Sequence, residues 1–467
     1  MPWNGRLNRN GLRNVALAAL LTTLGGCIST PAPDLKPPVP DTWRHVAPAG
    51  TPTTDLQNWW KALGDPQLDA LIERAMQSNL DVQQAAERLR SARILYPHAK
   101  DAYLPNLHAR TNDVIDPDTT ASYFVVGFDA MWELPLFGSW QGTDRLAQSQ
   151  VNSAAAALRG AQVSLVAEIT RRWIELRSAQ AQGQLLQSIY DAQAQRAKLV
   201  QTRVDLKLAS PAEAGRARAE LARAEAALSE PRQAINSQAQ MLAVLMGQSE
   251  PDPQWFEPGA QPHLGSWQLT EAPADMLRTR PEIASAEAEV LRAAGELGIS
   301  RADIYPHIGI GASIQWSANI ARNHRAHTGE AIFSLGPVID IPLFDWGQRV
   351  ATAHAKDHEL KASVLAYRQA VLQGVAETEI AMGDLEELRT REEAMQRARD
   401  ALRQTSDAMG KRTELGLGSH LDLQDSLIDM HRADMELIGA VAARDLAYVS
   451  LYKALGGAPL PDTKGAN

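Results

Sequence analysis

The sequence predicts a mostly helical, internally duplicated chain that carries four β-strands of membrane-spanning length. Three patterns carry that prediction: landmarks recurring in one order, two very long runs of helix formers, and stretches of apolar–polar alternation. The first set of landmarks is Tyr103-Leu104-Pro105, Glu133-Leu134-Pro135-Leu136-Phe137, Leu208-Ala209-Ser210 and Leu245-Met246-Gly247. The second is Ile304-Tyr305-Pro306, Asp340-Ile341-Pro342-Leu343-Phe344, Leu417-Gly418-Ser419 and Ala454-Leu455-Gly456. From Pro105 to Pro306, Pro135 to Pro342, Ser210 to Ser419 and Gly247 to Gly456 the separations are 201, 207, 209 and 209 residues. Repetition on that scale, with a few residues of drift, indicates quasi-symmetric halves building one object.

Each element has its own local reason. At the amino terminus Arg6, Arg9 and Arg13 precede a short apolar run, Val15 to Leu24, that ends in small residues before Cys27. That is the layout of an export signal over residues 1–26, too short to span a bilayer. Cys27 is the only cysteine, so no intramolecular disulfide can form. Leu24-Gly25-Gly26-Cys27 resembles a bacterial lipobox, whose cysteine is lipidated, and Ile28 in place of Asp resembles outer-membrane lipoproteins. Acyl chains on Cys27 would anchor the chain to lipid without crossing it. Residues 27–65, rich in Pro and Thr in their first part, are expected to be an extended tether.

Helices follow from length. Residues 144–247 open with a proline-free run, about Asp144 to Leu208, which at about 1.5 Å per residue spans on the order of 100 Å. Its match, about Gln348 to Leu415, opens residues 348–456. A shorter helix follows each, at about Pro211 to Met246 and His420 to Leu455. Another short helix opens each half, within residues 66–100 and 273–300. Two short helices end to end match one long one and can lie beside it, hiding stripes such as Leu165, Ile169, Trp173 and Leu176. Pro231 should break the first short helix, whereas its counterpart Ala440 should not. Residues 248–272 are the linker between repeats, and 457–467 a tail.

Strands are expected within residues 101–137 and 301–344. In Pro306 to Trp316, Ile308, Ile310, Ala312, Ile314 and Trp316 alternate with small and polar residues. Ser122 to Leu134 places Phe124, Val126, Phe128, Ala130, Trp132 and Leu134 on one face, and Phe333 to Ile341 repeats the pattern. Leu104 to Ile115 is the weak member, its apolar face poorly marked. About ten residues of alternation suit a membrane-spanning strand, with a soluble half-buried hairpin as the alternative. Four strands cannot close a barrel, and an open edge in lipid costs several kcal/mol for each unpaired backbone group. Oligomerisation is therefore required; two copies give eight strands and a filled barrel, three give twelve and a lumen.

Taken in order, Cys27, Trp59-Trp60 with Asp65-Pro66-Gln67-Leu68, Trp132-Glu133-Leu134-Pro135-Leu136-Phe137-Gly138, Pro342-Leu343-Phe344-Asp345 and Leu451-Tyr452-Lys453-Ala454-Leu455-Gly456-Gly457 resemble the TolC-like outer-membrane factors. The resemblance covers nearly the whole mature chain and is to the lipoprotein branch serving resistance-nodulation-division efflux pumps. It implies a homotrimer with a twelve-strand barrel in the outer membrane above a long α-helical barrel that crosses the periplasm. The implied partners are a periplasmic adaptor (membrane fusion) protein, an inner-membrane pump and outer-membrane lipid held through Cys27. The implied role is a passive exit duct for small molecules such as drugs and toxic compounds, the alternative being the exit duct of a one-step protein secretion system.

The resemblance also assigns residues. The turns Leu208-Ala209-Ser210 and Leu417-Gly418-Ser419 match the periplasmic tips that adaptors contact, although Lys207 stands where the second repeat keeps Gly416. Asp422 and Asp425, three apart and so on one helix face, match the acids lining the closed end of the tunnel. Threefold repetition would gather up to six carboxylates, a ring that favours cations. The counterparts of these acids in the first repeat are Glu213 and Arg216, so Arg216 could pair with Asp425 in the closed state. Some relatives carry an arginine at the position of Ile428.

Other signals are bland. His354 and His358 stand i, i+4, but Lys356 and Asp357 do not complete HExxH, so no metal site is expected. His324 and His327 lie in the Arg322–His327 loop between strands, and Glu386 to Arg403 mixes charges like a solvated helix face. A formal charge of −9 argues against a nucleic-acid partner. Neither a phosphate-cradling glycine loop nor a nucleophile–base pair is present, so neither enzymatic activity nor a cofactor is expected. No segment after residue 27 has the roughly 18 apolar residues a membrane helix needs.

Overall fold

The computed structural model describes residues 33, 35, 43–44, 56–114, 123–265, 279–319 and 331–458. The expectations for residues 1–26, Cys27 and the Arg322–His327 loop fall outside them, as do those for most of the tether and tail. Eight α-helices and four β-strands alternate among the described residues. They are α1 (Pro66–Ser78), α2 (Leu80–Leu95), β1 (Asn106–Val114), β2 (Tyr123–Glu133), α3 (Ser139–Asp205), α4 (Pro211–Ala227), α5 (Ser229–Leu245), α6 (Pro281–Ala302), β3 (His307–Asn319), β4 (Ile332–Asp340), α7 (Gln348–Glu414) and α8 (His420–Ala454). No helix among them is long and apolar enough to cross a membrane.

The chain divides into two compact units, and α2, α3, α6 and α7 contribute residues to both. One unit, Leu89–Ala154 with Ser285–Arg368, holds the sheet, antiparallel throughout in the order β1-β2-β3-β4. Register sorts its side chains by face. The rows Leu107–Ala130–Ala312–Leu335, Ala109–Phe128–Ile314–Phe333 and Trp132–Ile310–Pro337 make one face apolar. The other carries the row His108–Asp129–Ser313–Ser334 together with Arg110, Gln315 and Glu133, with Val125, Met131, Ile332 and Val338 among its apolar members. The face of β1 that the sequence marks weakly is thus fixed by its partner, since Leu107 and Ala109 oppose Ala130 and Phe128. Only β1 and β4 have a free edge, and Pro337 sits in β4, where a missing N–H is tolerated. In the same unit α3 and α6 approach closely at glycines: a Cβ on Gly295 would stand 2.8 Å from the Gly142 carbonyl oxygen.

The second unit, Pro37–Arg88 with Ala155–Ala284 and Gln369–Asn467, is helical. The predicted stripe is its core, with Leu165, Ile169, Trp173 and Leu176 all buried. Trp173 Nε1 donates to Asp65 Oδ2 at 2.6 Å, while the other carboxylate oxygen of Asp65 accepts from the backbone amides of Gln67 and Leu68 and caps α1. A single helix was expected over about Pro66 to Leu95, but two form. Asn79 between them is extended, accepts on Oδ1 from the amides of Asp81 and Val82, and donates Nδ2 to the Leu245 carbonyl at 2.9 Å. An asparagine so placed is a helix start, not a helix interior. Pro231 breaks the first short helix as expected, the chain parting at Leu228 into α4 and α5, whereas α8 runs unbroken through Ala440.

Backbone geometry shows the duplication directly. Left-handed residues recur as Phe137 and Trp346, Gly138 and Gly347, Lys207 and Gly416, and Gly247 and Gly456, each pair 209 residues apart. The long helices α3 and α7 each have 67 residues.

Candidate functional site

Each long helix ends in the same tight turn. After α3, Leu208 N donates to Arg203 O at 2.7 Å and Lys207 N to Val204 O at 2.9 Å. After α7, Leu417 N donates to Arg412 O at 2.8 Å and Gly416 N to Thr413 O at 3.0 Å. Both are Schellman caps, which need a left-handed residue at their centre. Glycine adopts that conformation freely at Gly416 (φ 71°), whereas Lys207 holds it at φ 61° against the clash of its own Cβ. Replacing Lys207 by glycine is expected to stabilise the first tip by up to about 1 kcal/mol, the relief of 1–2 kcal/mol less the entropy glycine loses on folding. Slower amide exchange over residues 203–210 in that variant, with residues 412–419 unchanged, is the readout.

Serines start the next helices. Ser210 Oγ accepts from the Glu213 amide and the Glu213 carboxylate returns to the Ser210 amide, a reciprocal cap at the head of α4. The hydrogen bonds from Ser210 hold the exposed Glu213 carboxyl below its ordinary value, with smaller contributions from Arg203 and Arg216. Ser419 Oγ accepts from the Leu421 amide at 3.1 Å and caps α8. These caps leave the tips apolar outward: Leu206, Leu208, Leu415 and Leu417 are 64%, 66%, 74% and 69% exposed.

One turn beyond the second tip, Asp422 and Asp425 both face outward on α8. The expected pairing of Asp425 with Arg216 is not the one present. Asp425 Oδ1 instead accepts from Arg196 Nε of α3 at 2.6 Å, although both α3 and α4 pack against this part of α8, Leu421 lying on Val200, Ala214 and Ala217. Arg216 is exposed on α4, close enough to act on Glu213. Ile428 is buried against Ile189 and Ala192, so the position occupied by arginine in some relatives is core in this chain. Arg196 was not singled out from sequence, since it lies outside both the tips and the repeat arithmetic. His354 and His358 are both exposed on α7, and no group of three or more metal-ligating side chains occurs among the described residues.

The sheet completes the arrangement. On its apolar face Leu107, Phe333 and Leu335 are 69%, 67% and 64% exposed, a surface that water does not tolerate and lipid does. The profile of a family described as outer membrane efflux protein matches residues 71–248 and 272–457. The chain belongs to the outer membrane efflux protein family. Within that family it is 26% identical to the pyoverdine export outer membrane protein OpmQ of Pseudomonas aeruginosa, over 97% of this chain and 98% of the relative. It is also 26% identical to the toluene efflux pump outer membrane protein TtgC of Pseudomonas putida, over 97% of each. Among solved structures, the outer-membrane channel OprN superposes with a TM-score of 0.79 at 25% identity, covering 92% of this chain and all of that one. The open state of the MtrE outer membrane channel of Neisseria gonorrhoeae superposes with a TM-score of 0.80 at 23% identity, covering 93% and 99%. As an outer membrane efflux protein, this chain is the outer-membrane channel component of an efflux system.

Proposed function

We propose that three copies of this chain close a twelve-strand barrel in the outer membrane and form the passive exit duct of a tripartite pump for small organic molecules. One observation carries the reading: a four-strand sheet with an exposed apolar face and unpaired β1 and β4 edges. In lipid every unpaired N–H and C=O costs several kcal/mol, so β1 of one copy must meet β4 of the next. Three copies leave a lumen, lined by the His108, Arg110, Asp129 and Glu133 face.

The remaining parts follow from position. Cys27 is the site of lipid attachment, securing the chain to the outer membrane. The leucine-rich tips around Leu208-Ala209-Ser210 and Leu417-Gly418-Ser419 offer a periplasmic adaptor protein its apolar contact, and the adaptor joins the duct to an inner-membrane pump. Asp422 and Asp425, repeated by symmetry, form the constriction, with Arg196 holding Asp425 within each copy and Arg216 available to a neighbouring copy. Pyoverdine and toluene, named for the two relatives, are small molecules, which favours such cargo over polypeptides.

Deletion of the gene in its native host is expected to raise accumulation of an amphipathic cationic dye, with wild-type chain restoring export. A chain with Cys27→Ser should lose incorporation of labelled palmitate. Normal dye export alongside loss of a secreted polypeptide would move the cargo assignment to protein secretion. A purified chain that stays monomeric and folded in detergent would remove the barrel itself.

A further inference from the structure

Residues 261–265, in the linker between the repeats, lie as a short strap against α7 and α8. Gln261 Nε2 donates to the Ile438 carbonyl at 3.0 Å, and the Leu264 amide donates to Asp445 Oδ1 at 2.9 Å. Arg444 Nη2 donates to the Gly265 carbonyl at 3.1 Å, while its Nη1 reaches Glu392 Oε2 on α7 at 2.9 Å. The second oxygen of Glu392 meets His263 Nε2 at 2.9 Å, a contact that is an ion pair only when the imidazole is protonated. Leu264 is 1% exposed and Asp445 0%, so the strap plugs directly over the carboxyl. Asp445 Oδ2 is buried with no hydrogen-bond partner among the described residues.

A carboxylate sealed from water with one backbone donor is poorly compensated when charged and well accommodated when neutral. Burial pushes Asp445 up to about 7, outweighing the Leu264 amide and Arg444, which pull it down; Glu392 pushes it further up. The charged groups facing it are therefore Arg444 from its own helix and Glu392 from α7, with His263 from the strap bound to Glu392. Arg444 does not neutralise Asp445 outright, because its two terminal nitrogens are committed to Glu392 and Gly265.

We infer that residues 261–265 and Asp445 form a proton-operated clasp, in which a neutral Asp445 seats the strap on α7 and α8 and an ionised Asp445 loosens it. Folding raises this carboxyl from the ordinary 3.8, so its contribution is full below that value, declines as pH rises, and is gone above about 7. The device couples the acidity around the helical unit to the seating of the segment that joins the two repeats.

Amide exchange of the full-length protein in detergent, followed by mass spectrometry from about pH 5 to about pH 8.5 and corrected for the intrinsic pH dependence, tests this directly. In the wild-type chain, protection of the peptide containing Leu264 is expected to fall by at least about tenfold over that range. Asp445→Asn keeps an acceptor for the Leu264 amide without a titrating proton, and its protection should stay level with pH. His263→Gln should retain the wild-type fall. Level protection in the wild-type chain overturns the clasp, as does an undiminished fall in Asp445→Asn. A fall that survives in Asp445→Asn and vanishes in His263→Gln overturns the assignment to Asp445.

Discussion

Replacing Trp59 by alanine is expected to cost about 3–5 kcal/mol of folding stability, the range for truncating a fully buried large aromatic. The indole is 0% exposed, stacks on Tyr452 at 5.3 Å between centroids and meets Tyr448 edge-on at 5.7 Å. Its Nε1 donates to the Gly457 carbonyl at 3.2 Å, and the Tyr448 hydroxyl donates to the Trp59 carbonyl at 2.9 Å. A Cβ on Gly457 would come within 2.8 Å of the ring, so that glycine is fitted around this one side chain, whereas its neighbour Gly456 is crowded by the backbone of Thr279 and Arg280. Trp59→Phe should keep most of the packing and leave the Gly457 carbonyl without its donor, a loss of about 1 kcal/mol more than packing alone explains. Denaturant unfolding followed by circular dichroism measures both. A Trp59→Ala chain as stable as wild type would show that residues 59–63 are an ornament on the helical unit and not part of its core.

The second large effect is on conduction. Asp422→Ala with Asp425→Ala is expected to raise single-channel conductance in planar bilayers and to weaken cation preference. The pair Arg196–Asp425 cannot produce such an effect by itself. Its side chains are 30% and 53% exposed, and a solvated ion pair is worth roughly 0–1 kcal/mol. If the proposed trimer gathers these acids, their crowding would be the stronger term, since like charges in a narrow ring share little water. Arg196→Ala separates the two: as a latch it would open the channel as the acids do, whereas as an orienting partner it would leave cation preference intact. Unchanged conductance and unchanged selectivity in the double variant would remove Asp422 and Asp425 from the constriction.

Much of the architecture was readable because it rests on period and length. The two 67-residue helices follow from runs without proline, and Pro231 announces the break at Leu228 by its chemistry alone. What escaped reading depends on tertiary partners. Asn79 caps the next helix through its Oδ1, but a lone asparagine inside a helix-forming stretch marks a break only weakly, and the Leu245 carbonyl that holds its Nδ2 comes from a distant helix. The apolar face of β1 rests on Leu107 and Ala109, too few to stand out until register sets them beside Ala130 and Phe128. At the candidate constriction the acids were legible and their partner was not. Repeat arithmetic pointed to Arg216, while the structure pairs Asp425 with Arg196, whose place on a long uniform helix carries no local mark. Asp445 escaped for a similar reason, since nothing in its neighbours announces that a distant backbone amide will cover it.

The break at Leu228, set against the uninterrupted course of α8, gives the two repeats different mechanics. A jointed rod yields at its joint, while a seamless one transmits a push along its length. A force applied at the first tip is therefore expected to bend the chain near Pro231, whereas one applied at the second has a continuous helix to the Trp59 cluster at Tyr448 and Tyr452. The two tips of this duplicated chain therefore end on helices of different build, one jointed and one continuous to the core.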